Sequence, residues 1–190
     1  MNAILLLVAL ILVGVGAYQY FKATRDRSNL GQYLAIEFGR MPAELRMAQL
    51  VASERDMSAW LDGQKILVRP DQIYRTDKGL HVPSETKTRA AAVTYQYDVI
   101  ELSLQRLAWA QKVGEGNVAL HGYVRILPRA GAGARAPVYR RVDLLGEGEL
   151  KELLRRYQAI LAGKVAPEAQ KSPAACRGCS HRKVCKVSRA

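Results

Sequence analysis

Residues 65–88 read KILVRPDQIYRTDKGLHVPSETKT, and this stretch decides the fold. Residues 65–76 are rich in Ile, Val and Tyr and predict one β-strand, and residues 80–88 predict a strand that returns beside it. Residues 77–79, Asp-Lys-Gly, form a typical turn sequence between them. The stretch therefore predicts a hairpin in which Asp71 and Glu85 lie across from each other.

Asp71, Glu85 and Lys87 in this hairpin have the chemistry of a metal-dependent hydrolase. Glu85 and Lys87 are two residues apart, so their side chains leave the strand on the same face. Two converging carboxylates hold Mg²⁺ or Mn²⁺ and leave coordination positions for water and a phosphate oxygen. A neighbouring ammonium orients or deprotonates the attacking water, or balances charge on the phosphate. The alternative is structural, with Asp71 in a turn and the other two on a solvated strand face.

The pattern RPD…ETK resembles the PD-(D/E)XK nuclease superfamily. The resemblance implies an α/β, restriction-endonuclease-like core, in which a central mixed sheet is flanked by helices. It also implies metal-dependent hydrolysis of DNA, with Asp71 and Glu85 as metal ligands and Lys87 beside the attacking water. The main-chain carbonyl of Thr86 is a further ligand in this scheme.

Two helices of the superfamily suggest further site residues. A helix before the Asp strand often supplies another acid, and Glu54 is the nearer candidate here, with Glu44 the other. A solvated helical acid is the alternative for both. In many RecB-like members the helix after the second strand carries a Gln and a Tyr four residues apart. The corresponding residues here are Glu101 and Gln105, and Gln105 is the candidate active-site amide.

The remaining secondary structure follows from periodicity and turn residues. Pro42 predicts the start of a helix that continues to about Leu61. The predicted elements after the hairpin are a helix at 98–112, strands at 117–127 and 138–144, and a helix at 148–162. Asp98 and Glu101 fit a capping-box-like pair at the start of the first of these helices. Residues 41–163 form the predicted nuclease core.

All three cysteines lie near the C-terminus in a C-x2-C-x5-C pattern, at Cys176, Cys179 and Cys185. Their odd number and close spacing indicate a metal or cluster site rather than disulfides. Zinc with His181 as fourth ligand is one assignment, and an iron–sulfur cluster is the other. The knuckle after a PD-(D/E)XK core resembles RecB-like nucleases of the CRISPR-associated exonuclease type, which implies a 4Fe-4S cluster. Residues 164–190 contain the linker and this knuckle.

The N-terminus begins with an apolar run. Residues 3–21 contain no charged residue and, as a helix, would span about 28 Å. Lys22, Arg25 and Arg27 follow directly, which favours an uncleaved single-pass anchor at residues 1–21 with the nuclease domain in the cytoplasm. A cleaved secretory signal is the alternative. Residues 22–40 are the predicted juxtamembrane linker.

The formal charge of +12 is unevenly distributed. Residues 116–142 contain no acid and carry five arginines that are candidate nucleic-acid contacts: Arg125, Arg129, Arg135, Arg140 and Arg141. Such a basic segment attracts DNA, and an anionic membrane surface or a solubilising role are the alternatives.

The sequence as a whole predicts a membrane-anchored deoxyribonuclease, acting as an exonuclease on single-stranded DNA. Two other protein classes compete with it. One is a binding or scaffold protein with inactive chemistry on the same fold, and the other is a membrane-tethered zinc protein without a nucleic-acid function.

Overall fold

The computed structural model describes residues 19, 36–129, 136–166 and 168. Three α-helices, seven strands and one short 3-10 helix follow one another within these residues. In chain order they are α1 (Ala43–Arg46), β1 (Gln49–Ser53), β2 (Met57–Leu61), β3 (Gln64–Val68), β4 (Gln72–Arg75), β5 (His81–Arg89), α2 (Gln96–Val113), the 3-10 helix (Glu115–Asn117), β6 (His121–Pro128), β7 (Val138–Asp143) and α3 (Glu147–Leu161). Residues 36–40 are also helical.

The centre of the molecule is a five-stranded sheet in the order β1-β4-β5-β6-β7. Strands β5 and β6 are parallel, and the other three neighbouring pairs are antiparallel. A parallel pair needs a crossover connection, and α2 lies in the chain between these two strands. The predicted central mixed sheet flanked by helices is confirmed.

The two faces of this sheet are covered by different segments. On one, here called the helix face, Leu102 of α2 packs against Val124 and Ile126. On the other, here called the far face, Leu45 of α1 packs against Tyr74 and Tyr123. Fully burying one such apolar side chain contributes about 1.5–3 kcal/mol, so both faces are held by their covering segments.

The predicted helix from Pro42 to about Leu61 is wrong. The helix ends at Arg46, and the chain then forms β1 and β2. Along β2, Ala59 and Leu61 are buried while Ser58 and Trp60 are exposed, which is the period of two of a strand. Residues 62–63, Asp-Gly, take positive φ angles of 50° and 76° and close a hairpin with β3. This Asp-Gly turn was the sequence evidence against a helix.

The predicted single strand at 65–76 is also wrong, because it is two strands in different sheets. Strand β3 pairs with β2 in a separate two-stranded sheet, and β4 pairs with β5 in the main sheet. Pro70 lies between them and has no backbone N–H to donate to a ladder, which explains the interruption. The predicted pairing of the second half with residues 80–88 is confirmed, with Gly79 at φ 81° in the turn.

The later elements agree with the sequence predictions within a few residues, as α2, β6, β7 and α3 show. Strand β6 approaches β5 closely at Gly122, where an added Cβ would lie 2.8 Å from the carbonyl oxygen of Pro83. A glycine is therefore required at this position for the two parallel strands to stay paired.

Both predicted terminal features lie largely outside the described residues. Of the predicted anchor at residues 1–21, only residue 19 is described. Among the described residues no helix combines the length and the apolar character needed to cross a bilayer. The knuckle cysteines, His181 and Arg135 also lie outside these residues.

Candidate active site

Asp71 lies just before β4, where the chain passes from the small sheet into the main one. Its backbone is fixed by β1, since the Ser53 hydroxyl donates to the Asp71 carbonyl oxygen at 3.0 Å. Its carboxylate Oδ2 accepts the Thr86 backbone N–H at 2.8 Å. Gln72 is paired with Ser84 in the β4–β5 ladder, so Asp71 and Glu85 are the next residues across the two strands. The hairpin therefore brings these two acids together.

Glu85 is the centre of a hydrogen-bonded cluster on the helix face. Lys87 Nζ donates to Glu85 Oε1 at 2.9 Å, and Gln105 Nε2 donates to Glu85 Oε2 at 2.8 Å. Lys87 Nζ also donates to Glu101 Oε2 at 2.7 Å. The Glu85 side chain is only 6% exposed and that of Lys87 is 22% exposed. The cluster thus joins two residues of β5 to two residues of α2.

Helix α2 is held in position by its N-terminal end. Arg89, at the end of β5, donates to both carboxylate oxygens of Asp98, at 2.5 and 2.7 Å. Asp98 Oδ2 also accepts the Tyr95 backbone N–H at 2.8 Å and so caps the helix. The predicted capping pair of Asp98 and Glu101 is therefore half wrong, because Asp98 caps the helix and Glu101 instead contacts Lys87. Glu101 and Gln105, four residues apart, face β5 together.

Burial raises the pKa of the Glu85 carboxyl above its ordinary value of 4.5. The hydrogen bonds from Gln105 and Lys87 act in the opposite direction, and the nearby charges of Glu101 and Asp71 raise the pKa further. A carboxyl in this setting carries a negative charge that its neighbours do not fully compensate. An added cation would relieve that charge.

The pKa of Lys87 is raised above 10.5. Burial alone would lower it, but the hydrogen bonds to Glu101 and Glu85 and the charges of those two acids have the larger combined effect. Lys87 is therefore an ammonium at neutral pH. In this arrangement it donates hydrogen bonds and supplies positive charge, and it is not a base.

The donors around Glu85 suit a hard divalent cation. Asp71 and Glu85 offer carboxylate oxygens, and Thr86, whose backbone N–H donates to Asp71, offers a main-chain carbonyl. The side-chain oxygen of Gln105 is buried and has no hydrogen-bond partner in the described part of the chain. Among the described residues no group of three or more His, Cys, Asp and Glu is placed to hold a metal ion. Any metal here would therefore rest on two carboxylates and keep open positions.

Glu54 does not have the position predicted for it. It follows β1 with a positive φ of 48° rather than lying in a helix. Its carboxylate Oε2 accepts from Arg69 Nη2 at 3.2 Å, and its side chain is 66% exposed. Its backbone N–H donates to the Pro70 carbonyl oxygen at 3.0 Å, so the residue helps to fix the chain next to Asp71 through its main chain.

The candidate DNA-binding arginines are divided between the two faces of the sheet. Arg125 and Arg141 lie on the far face, and Arg125 pairs with both carboxylate oxygens of Glu37 at 2.7 Å. Arg140 is paired with Val124 and lies on the helix face, where its Nε donates to the Ala92 carbonyl oxygen at 3.2 Å. Arg129 is exposed just after β6. The described arginines of this basic segment therefore do not share one face of the sheet.

Two acids organise the far face: sequence reasoning missed Glu37, and it gave Glu44 the different role of a candidate site acid. Glu37 accepts from Arg125 and from the Tyr139 hydroxyl, and Glu44 accepts from His121 Nε2 at 2.8 Å and from the Tyr123 hydroxyl. The alternation of His121, Tyr123 and Arg125 along one strand was the available signal, because it places three polar or aromatic side chains on one face. Glu44 thus contacts residues of the far face, on the opposite side of the sheet from Glu85.

Comparison with known proteins finds likeness at the level of structure. No family model and no curated protein sequence matches the chain. A crystal structure designated SSO0001 is similar over 88% of this chain and 71% of its own, at 16% sequence identity and a TM-score of 0.51. A candidate exonuclease from Eubacterium rectale is 14% identical over 73% of this chain and 53% of its own. Its TM-score of 0.44 is too low to carry a functional argument. The likeness to SSO0001 shows a shared fold alone.

Proposed function

We propose that this protein is a divalent-metal-dependent deoxyribonuclease of the PD-(D/E)XK type. The observation that carries the proposal is the meeting of Asp71, Glu85 and Lys87 from two neighbouring strands. Burying charge is costly, and clusters of buried ionisable groups with shifted pKa values occur preferentially at functional sites. The excess negative charge around Glu85 and the hard oxygen donors both suit Mg²⁺ or Mn²⁺.

Each side chain has a distinct role in this proposal. Asp71, Glu85 and the Thr86 carbonyl hold the metal, which when bound activates water and stabilises charge on the phosphate. Lys87, as an ammonium, donates to the attacking water or to a phosphate oxygen. Gln105 holds Glu85 in orientation through its 2.8 Å hydrogen bond. The backbone N–H of Thr86 fixes Asp71 in the same way. Glu54 acts only through its main chain, which leaves its predicted role as a metal ligand without support.

The proposal extends to the two termini. Cys176, Cys179 and Cys185 bind either a 4Fe-4S cluster or zinc together with His181, and the site closes the C-terminal end of the domain. Residues 1–21 tether the nuclease to a membrane, with its domain in the cytoplasm. Visible absorbance with iron and sulfide in the purified protein supports the cluster, and a colourless protein with bound zinc supports the second assignment.

Cleavage of a labelled single-stranded oligodeoxynucleotide tests the hydrolase. We expect Mn²⁺- or Mg²⁺-dependent cleavage by the wild type and its loss in Asp71→Asn, Glu85→Gln and Lys87→Ala. Glu152→Gln is the matched control, because this acid lies on α3 with a 76% exposed side chain. Equal cleavage by the three variants and by the control would show that the activity resides elsewhere.

One observation favours a second function, a binding protein with inactive chemistry. Lys87 is shared between Glu85 and Glu101. Many of the RecB-like nucleases that this chain resembles have a Gln where this chain has Glu101. An acid there holds the ammonium away from a substrate phosphate. Retained oligonucleotide binding by the wild type and by Lys87→Ala, with no cleavage by either in Mn²⁺, would establish this second function.

A further inference from the structure

A groove of about 370 Å³ lies beside the Glu85 cluster, between β3 and α2. Glu101 and Gln105 line it, and these are the two helix residues that contact Lys87 and Glu85. Its other lining residues are Leu67, Val68, Arg69, Tyr97, Ile100 and Leu104. The groove is thus continuous with the candidate active site and has largely apolar walls.

Tyr97 gives this groove an exposed aromatic wall. Its ring stacks on that of Tyr95, with centroids 5.4 Å apart and an interplanar angle of 12°. The side chain is held by Arg89, whose Nη2 donates to the Tyr97 hydroxyl at 2.9 Å. Tyr97 nevertheless remains 57% exposed. The Arg89 guanidinium carbon also lies 5.4 Å from the centroid of the Tyr97 ring. The ring is therefore held by Tyr95 and Arg89, and its exposed part is available to a planar partner.

Leu67, on the opposite wall, is also largely exposed, and the pairing of its strand does not require an apolar side chain at this position. It is 76% exposed, although apolar, and it faces the groove together with Tyr97. Arg69 also lines this wall, where its charge is paired with Glu54. A largely apolar slot with an aromatic side, next to the proposed phosphodiesterase site, matches a nucleotide whose base is unstacked.

We propose that this groove binds an unpaired base of single-stranded DNA next to the scissile phosphate, with the base stacked on Tyr97. The proposal rests on the proposed nuclease function and specifies its substrate. Within a duplex the faces of the bases are covered by their neighbours and cannot meet Tyr97. The groove therefore selects single strands or frayed ends.

Binding is measured first, so that it can be separated from hydrolysis. The probe is a fluorescent oligodeoxythymidylate in Ca²⁺, followed by anisotropy with Tyr97→Ala, Tyr97→Phe and the wild type. Loss of one base stack predicts about five- to hundredfold weaker binding by Tyr97→Ala. Tyr97→Phe keeps the ring and is expected to bind within about threefold of the wild type. Tyr157→Ala is the matched control, since this tyrosine on α3 is 58% exposed and lies away from the groove.

A scan with abasic nucleotides distinguishes base stacking on Tyr97 from a purely structural role of this residue. Oligonucleotides with one abasic nucleotide at successive positions are expected to show one position at which the wild type binds more weakly. At that position Tyr97→Ala should show no further loss, because the stack is already absent. Additive losses at every position would overturn the proposal.

A second measurement covers the case in which Tyr97→Ala fails to fold. A 2-aminopurine placed at the sensitive position is expected to lose fluorescence on binding to the wild type, as a stacked base does. Unchanged fluorescence at all positions would overturn the stacking proposal. Base stacking without cleavage in Mn²⁺ would instead contradict the proposed nuclease function and support the proposed base-binding groove.

Discussion

The two faces of the central sheet each carry buried or half-buried acids, but these acids are compensated differently. On the far face, burial would raise the pKa of Glu44, yet hydrogen bonds from Tyr123 and His121 hold it below 4.5. On the helix face, burial and the neighbouring acids raise the pKa of Glu85 although it also accepts two hydrogen bonds. The far-face acid is stabilised in its charged form, and Glu85 is not. This difference separates acids that hold the fold together from one that is available for a cation.

The largest expected effect is on cleavage by Glu85→Gln. Loss of a metal ligand should lower cleavage by at least about a hundredfold. The raised pKa implies that Glu85 stabilises the fold below its unfolded pKa and that this contribution is lost as pH rises through the folded pKa. Removing the charge should therefore leave the free energy of unfolding at pH 8 no lower than that of the wild type. Urea denaturation at pH 8 measures this free energy of unfolding. A large destabilisation by Glu85→Gln would show that Glu85, like the far-face acids, holds the fold together.

The far face should respond in the opposite way to Glu37→Gln. The Glu37–Arg125 pair is nearly buried, with side chains 11% and 12% exposed. Breaking a buried ion pair leaves an uncompensated charge and costs about 3 kcal/mol. Urea denaturation should show that loss, while cleavage by the remaining folded protein stays within a few-fold of the wild type. A variant of full stability that fails to cut would place Glu37 in the active site instead.

Glu101→Gln should shift the pH dependence of cleavage. The Glu101 charge raises the pKa of Glu85, and metal binding requires Glu85 without its proton. Removing that charge lowers the pKa of Glu85, so the acid limb of the pH–rate profile should move to lower pH. The same variant tests the inactive-binding function, because activity that appears only in Glu101→Gln would identify Glu101 as the blocking residue. An unchanged acid limb would mean that Glu85 does not control it.

The smallest expected effect compares two neighbouring arginines. Arg140 and Arg141 are adjacent on β7 and lie on opposite faces. If DNA crosses the helix face, Arg140→Ala should reduce the slope of log binding constant against log salt by about one, and Arg141→Ala should leave it unchanged. Equal changes for both variants would indicate that DNA contacts the edge at β7 rather than one face.

The sequence predicted the strand pairing of the hairpin better than the architecture around it. The pairing of β4 with β5 follows from a turn at Gly79 and two short strands, which are local features. The small sheet was missed because the apolar residues of 49–61 fit a helix as well as two strands, and only the Asp-Gly turn separates the two. Helix α2 was predicted to within two residues at each end.

The polar contacts were less predictable, because they depend on pairs distant in sequence. Glu37 and Arg125 are 88 residues apart, and the local sequence around either residue does not indicate the other as its partner. The charge pattern suggested one basic surface, but strand alternation sends adjacent arginines to opposite sides. Glu101 could be placed on the right helix face, yet its contact with Lys87 depends on how β5 and α2 pack.

The short link at residues 69–71 connects the small sheet directly to the candidate active site. Only these three residues separate Val68 at the end of β3 from Gln72 at the start of β4. Leu67 before the link lines the groove, and the carboxylate of Asp71 at the end of the link accepts the Thr86 backbone N–H. One wall of the groove and the backbone of a candidate metal ligand are therefore joined by three residues of chain.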